Sequence, residues 1–114
     1  MPEIEKTLTE DISIKTSEVK SKIKENQILV GSKPFMRYIR SAEILLRSKN
    51  LRIISIRARG INISKAVDLT EAIKNKFCAD LNLISSVRTS TEKFMRENKE
   101  TFVSVIEIEL RRTN

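Results

Sequence analysis

Histidine and tryptophan are absent from the 114 residues, and cysteine, glycine and proline number only one, two and two. Without histidine, zinc sites of the usual Cys/His kind are excluded and the commonest general base is missing. A lone Cys78 cannot form an internal disulfide and reads as a small residue near a helix end. No run of 18 apolar residues occurs, and the opening MPEIEKTLTED has neither a basic nor an apolar leader segment, so neither a membrane span nor a secretory signal is expected. The protein is expected to stay inside the cell. Aromatic residues make up 4% of the chain, which argues against a base-stacking platform. There is no G-x-x-x-x-G-K-[ST] phosphate loop, and the carboxylates are scattered along the chain. Glu107 and Glu109 share a strand face, but a solvated or partner-facing surface suits them better than a catalytic dyad, and Asp68 suits the first turn of a helix. Neither catalysis nor a bound metal or cofactor is expected.

What is abundant is positive charge: 22 Lys+Arg against 15 Asp+Glu give a formal +7 and a pI near 9.8. Residues 1–26 carry five basic and six acidic side chains; taking these from the totals leaves 17 and nine, a net +8 on residues 27–114. The basicity therefore belongs to the domain, and it favours a polyanionic partner. Length allows one domain. Residues 1–26, where Ile12 and Ile14 would suit a short strand and Val19 and Ile23 a short helix, hold too little apolar surface to offset ordering entropy and read as a mobile or loosely docked extension.

From residue 27 the pattern is β-α-β-α-β-β. Gln27 to Val30 is a short apolar strand ended by Gly31. Pro34 opens a helix with Phe35, Ile39, Ala42 and Leu46 at helical spacing, running to about Ser48. Ile53 to Arg59 is the second strand, and Ser64 to Phe77 the second helix, with Ala66, Leu69, Ile73 and Phe77 in a stripe and a cap at Asn62 or Ser64. Leu81 to Val87 alternates as a third strand, and Phe102 to Leu110 as a fourth. Between them Arg88 to Thr101 reads as a long hairpin arm whose tip lies near Glu97-Asn98-Lys99. The fold class is α+β: a two-layer sandwich with a four-stranded mixed sheet, two helices on one face and a protruding arm.

One stretch concentrates the chemistry. Along Ile53–Arg59 side chains alternate faces, so Arg57 and Arg59 leave on the same side. Gly60 then turns the chain toward a helix opened by Lys65, while Lys33 opens the other helix. A strand end, a glycine turn and helix N-termini with four basic residues suit phosphate groups.

These residues carry a resemblance. IRARGINISKAVD, with GSKPFMRYI before it and KNKF and VSVIEIELRR after it, strongly resembles the Alba family of archaeal chromatin and RNA-associated proteins over roughly Gln27 to Arg112. The resemblance implies a homodimer, cytoplasmic and chromosome- or nucleoid-associated, that binds double-stranded DNA and RNA with little sequence preference. In that family the dimer body sits on the duplex, hairpin arms reach along the minor groove, and dimers can associate further along DNA. Lys33 matches the second lysine of the family's G-K-K-P turn, Arg59 the nucleic-acid-contacting arginine of A-R-G, and Lys65 the lysine of I-S-K-A. Arg57 joins them by position, and Arg96 and Lys99 by lying in the arm. Phe77 matches a phenylalanine at contacts between dimers, and reads equally as the last core residue of its helix. Ser32 replaces the first lysine of that turn, removing one phosphate contact and the residue linked in the family to regulation by acetylation. Ile61 stands where some members carry arginine. The competing function is an RNA-binding subunit of an RNA-processing or translation-related particle. Dimerisation finds support in Val103 and Val105, on the outer strand face, which call for a cover.

Overall fold

The computed structural model describes residues 25–113, so the readings made for the N-terminal extension lie almost entirely outside it. Four strands form one sheet: β1 (Gln27–Leu29), β2 (Ile53–Arg59), β3 (Leu83–Arg96) and β4 (Lys99–Arg112), in the order β1-β2-β4-β3. β1 runs parallel to β2, and the other pairings are antiparallel. The α+β sandwich and the β-α-β-α-β-β order are as the sequence pattern predicts.

Helix α1 (Phe35–Glu43) continues as a π-helical turn, Ile44–Ser48, and α2 (Ile63–Ala72) as another, Ile73–Phe77. Their apolar stripes decide how they pack. Ile39, Ala42 and Leu46 from the first, with Ala66, Leu69 and Ile73 from the second, are fully buried against Ile54 and Ile56 of β2 and Ile108 and Leu110 of β4. Pro34 ends the extended segment before α1 (φ −59, ψ 145), and its carbonyl accepts a bond from the Arg37 amide at 3.0 Å. Cys78 is buried at the end of α2's last turn, as expected of a small residue there, and burial pushes its thiol pKa upward.

Two details of α2 differ from the sequence reading. Asn62 holds the capping position but makes no side-chain cap, because a 3-10 turn over Gly60–Asn62 leads into the helix and Asn62 is already in the α conformation. Asp68 lies beyond the first turn, which contains no acid.

The hairpin arm is as expected, and only the strand bounds differ: β3 and β4 are each 14 residues long and stay paired from Leu83↔Arg112 to Arg96↔Lys99, so the arm continues the two strands without a break. Polarity stops alternating after Val87 because the ribbon passes beyond the helices and both faces meet water. The ladder continues nonetheless. Glu97 (φ 50) and Asn98 (φ 65) make the two-residue turn at the predicted tip, both with the positive φ of a type I′ hairpin. β2 ends opposite Val105, so Thr91–Arg96 and Lys99–Ser104 project as a two-stranded arm of about 20 Å at ~3.4 Å per residue.

Candidate functional site

Parallel pairing brings the ends of β1 and β2 to one end of the sheet, and the chain enters α1 and α2 from there. β4 runs the other way, so the arm leaves from that same end. Neither helix start has a side-chain cap or an acidic residue in its first turn. Both therefore present donor groups and the positive end of the helix dipole to any anion arriving there.

The turn Gly31–Lys33 is fixed from two sides. The buried Tyr38 hydroxyl accepts bonds from the Gly31 amide (2.8 Å) and the Lys33 amide (3.2 Å). Lys65 reaches across from α2, and its Nζ donates to the carbonyls of Gly31 (2.7 Å) and Lys33 (2.6 Å) while lying 5.2 Å from the centre of the Tyr38 ring. Lys65 thus spends two of its three protons locking the turn, and Lys33 stands exposed beside it. Tyr38 escaped the sequence reading; its signal is that the chain's single tyrosine sits four residues past Pro34, where a helical side chain points back to the turn. Replacing Tyr38 by Phe is expected to cost about 1–2 kcal/mol in a urea denaturation series, because two amides lose their acceptor. The same variant should bind duplex more weakly through the loosened Lys33 turn; unchanged affinity would show that the turn does not depend on this anchor.

Arg57 and Arg59 do project from one face, opposite the helices. Arg57 Nη2 donates to Glu92 Oε2, and Arg59 Nε lies 3.5 Å from the other oxygen of the same carboxylate. The Arg59 side chain is 61% exposed and that of Arg57 28%. Gly60 follows with φ 54, and a Cβ there would come within 3.3 Å of Val103, so the turn leaving Arg59 needs glycine twice over. In the ladder Arg96 and Lys99 are partners and fall on the same side as Arg57 and Arg59, at the arm's far end. The arm from Thr91 to Ser104 carries Lys93, Arg96 and Lys99 against Glu92, Glu97 and Glu100, a net charge of zero. Lys93 pairs with Glu100 at 3.3 Å.

Phe77 is half-buried against the core, its carbonyl accepting from Arg47 Nη2 at 3.1 Å, and Arg47 pairs with Asp80 at 2.7 Å. Part of its ring is therefore core and part surface. The valines taken as a sign of dimerisation tell a different story: Val105 is 1% exposed within the single chain, and Val103 is half-buried against the Gly60 turn. On the other face, too, apolar surface is uncovered. α2 lies over β2 and β4, leaving β3 bare, so Val87 (60%) and Phe102 (61%) are exposed together with Val67 on the flank of α2. The Lys74–Ser85 bond, 3.1 Å, fixes that flank beside β3.

Farther along the open face Glu107 bonds to Arg88 and to Ser55 (3.2 Å), and Glu109 lies 3.5 Å from Arg111. Each carboxylate has its own cation, which is the opposite of a coupled dyad. Among the described residues no group of three potential ligands could hold a metal, and no helix is long and apolar enough to cross a membrane. The Arg88 bond, aided by Ser55, holds Glu107 below its ordinary pKa of 4.5. A carboxylate lowered in the folded state binds fewer protons there than unfolded, so its stabilisation is complete above 4.5 and fades as pH falls through the lower folded value. Urea midpoints measured from pH about 6 down to about 3 should therefore drop less steeply in Glu107→Gln than in the wild type; parallel curves would remove Glu107 from the acid sensitivity.

Comparison with known proteins matches this architecture. The Alba family model matches residues 26–91, more than half of the chain. The chain belongs to the Alba family. It is 42% identical over 88 residues to the DNA/RNA-binding protein Alba of Thermoplasma volcanium and 40% over 88 residues to that of Picrophilus torridus, in each case covering 77% of this chain and 97% of the relative. The solved Alba structure from Thermoplasma volcanium superposes with a TM-score of 0.67 at 41% identity, over 76% of this chain and all of the other. Alba1 of Trypanosoma brucei shares the fold at 18% identity and a TM-score of 0.60, covering 80% of this chain and 72% of its own.

Proposed function

We propose that this Alba chain is a nucleic-acid-binding protein without catalytic activity that grips the phosphates of double-stranded DNA and RNA with little sequence preference, as a homodimer with an architectural role on the chromosome. The observation that carries it is the convergence, at one end of the sheet, of exposed Lys33 and Arg59, two uncapped helix starts and the base of the arm. Relatives about 40% identical are named as DNA/RNA-binding. Lys33 and Arg59 contact phosphates in this reading, Arg57 stands behind them, Lys65 holds the turn, and Arg96 and Lys99 make contacts at the tip. The bare flank of Val67, Val87 and Phe102 is the dimer contact, and the exposed part of Phe77 is free for contacts between dimers.

Gel shifts on unrelated duplexes test it. Affinity should be nearly independent of sequence and fall with salt at a log–log slope of about −0.9 for each phosphate neutralised. Absent binding, or strong preference for one sequence, would end the proposal. One feature favours RNA: Phe94 is exposed on the same side of the arm as Arg96 and Lys99, where an unpaired base could stack. A structured RNA that outcompetes duplex DNA, and loses its advantage in Phe94→Ala, would make RNA the principal ligand; parity would keep the duplex reading.

A further inference from the structure

Glu92 is the acid that bridges both arginines at the cationic end of the sheet, beside Glu107, which faces Arg57 in the next row of the open face. It lies on β3 one step along the open face beyond the row Arg59–Val105–Ser90, opposite Val103 at the base of the arm. Each oxygen of its carboxylate takes a different guanidinium, Oε2 that of Arg57 and Oε1 that of Arg59. A phosphate bridging the same arginines would offer the same thing: two anionic oxygens to two donors. Glu92 therefore occupies the position of a ligand. Its two contacts differ, however. Arg57 is the more covered and holds the carboxylate closely, whereas Arg59 is 61% exposed and reached only at 3.5 Å. An arriving anion meets Arg59 first and has the weaker contact to displace.

We propose that Glu92 is an internal stand-in for phosphate, which neutralises part of the Arg57/Arg59 pair in the free protein and sets how tightly, and with what salt dependence, the chain holds a duplex. This rests on the nucleic-acid reading above. Three consequences follow from electrostatics. The two like-charged arginines are kept from repelling each other when no ligand is present. Single small anions, which cannot repay the loss of the carboxylate, are disfavoured relative to a polyanion. Removing the carboxylate charge should strengthen duplex binding, although the substitution lies in the binding face itself.

The test compares Glu92→Gln, Glu92→Ser and Glu43→Gln, the last making the same charge change at the end of α1 away from the site, by gel shift or anisotropy on a fixed duplex across a salt series. Both Glu92 variants should bind about fivefold tighter per protomer than wild type at low salt, the scale of an exposed ion pair released, with a slope steeper by up to about 0.9 per protomer. Glu43→Gln should gain much less. In an Arg57→Ala, Arg59→Ala background the gain from Glu92→Gln should shrink to that of Glu43→Gln, since the cycle removes the groups through which Glu92 acts. Wild-type binding with no gain in either Glu92 variant, or a gain that persists without the arginines, would overturn this inference while leaving the nucleic-acid reading in place. Wild-type protein that fails to bind any duplex would overturn both.

Discussion

Replacing Lys33 and Arg59 together by alanine is expected to weaken duplex binding about 30-fold for each protomer engaged at low salt while leaving the melting temperature nearly unchanged. Each side chain is exposed, and each contact with a phosphate, after solvent screening, contributes about 1 kcal/mol; two such losses multiply to about 30-fold. The salt slope should flatten by about 1.8 for one protomer and about 3.6 for a dimer with both on the duplex, one increment of about 0.9 per lost contact. Stability is spared because neither side chain is part of the buried cluster and the turn that carries Lys33 is held by Tyr38 and Lys65 through backbone groups. An unchanged slope would mean that the duplex lies elsewhere on the protein.

Substituting Val87 and Phe102 together by aspartate is expected to convert a homodimer into a monomer at micromolar concentration, read by light scattering. Buried together in an interface, these side chains would place two charges per chain in an apolar contact, an expense that such a contact does not survive. Duplex affinity should then fall by about a hundredfold or more, because two linked sites become one. In the isolated chain both positions are exposed, so the fold should persist. A wild-type monomer at that concentration would refute the dimer and leave the bare flank beside β3 without a partner.

Much of this architecture is legible in the residues. The stripes Ile39-Ala42-Leu46 and Ala66-Leu69-Ile73 declare two helices packed on one side, and the alternation of Ile54, Ile56 and Ala58 against Arg57 and Arg59 correctly places the arginines on the opposite face. What periodicity cannot convey is the partner across space. Nothing local marks Glu92, 35 residues from Arg57, as the acid that joins the basic cluster. Lys65 reads as a free cation because its acceptors are carbonyls of a turn more than 30 residues earlier. The valines suggested a cover from a second chain, whereas the cover over Val105 comes from within the chain. The hairpin arm was legible, but not that β3 and β4 run unbroken into it: once both faces of a ribbon meet water, the alternating pattern that marks a half-buried strand disappears.

The unbroken pairing of β3 and β4 bears on the thermodynamics of recognition. A basic tail that orders only on contact must give up backbone freedom at that moment, at about 1–2 kcal/mol per residue. Here Arg96 and Lys99 already occupy a paired ladder, held by a two-residue turn, before any ligand arrives. Association therefore should involve little coupled folding of the arm, and its heat-capacity change should reflect the surface covered rather than a segment acquiring structure.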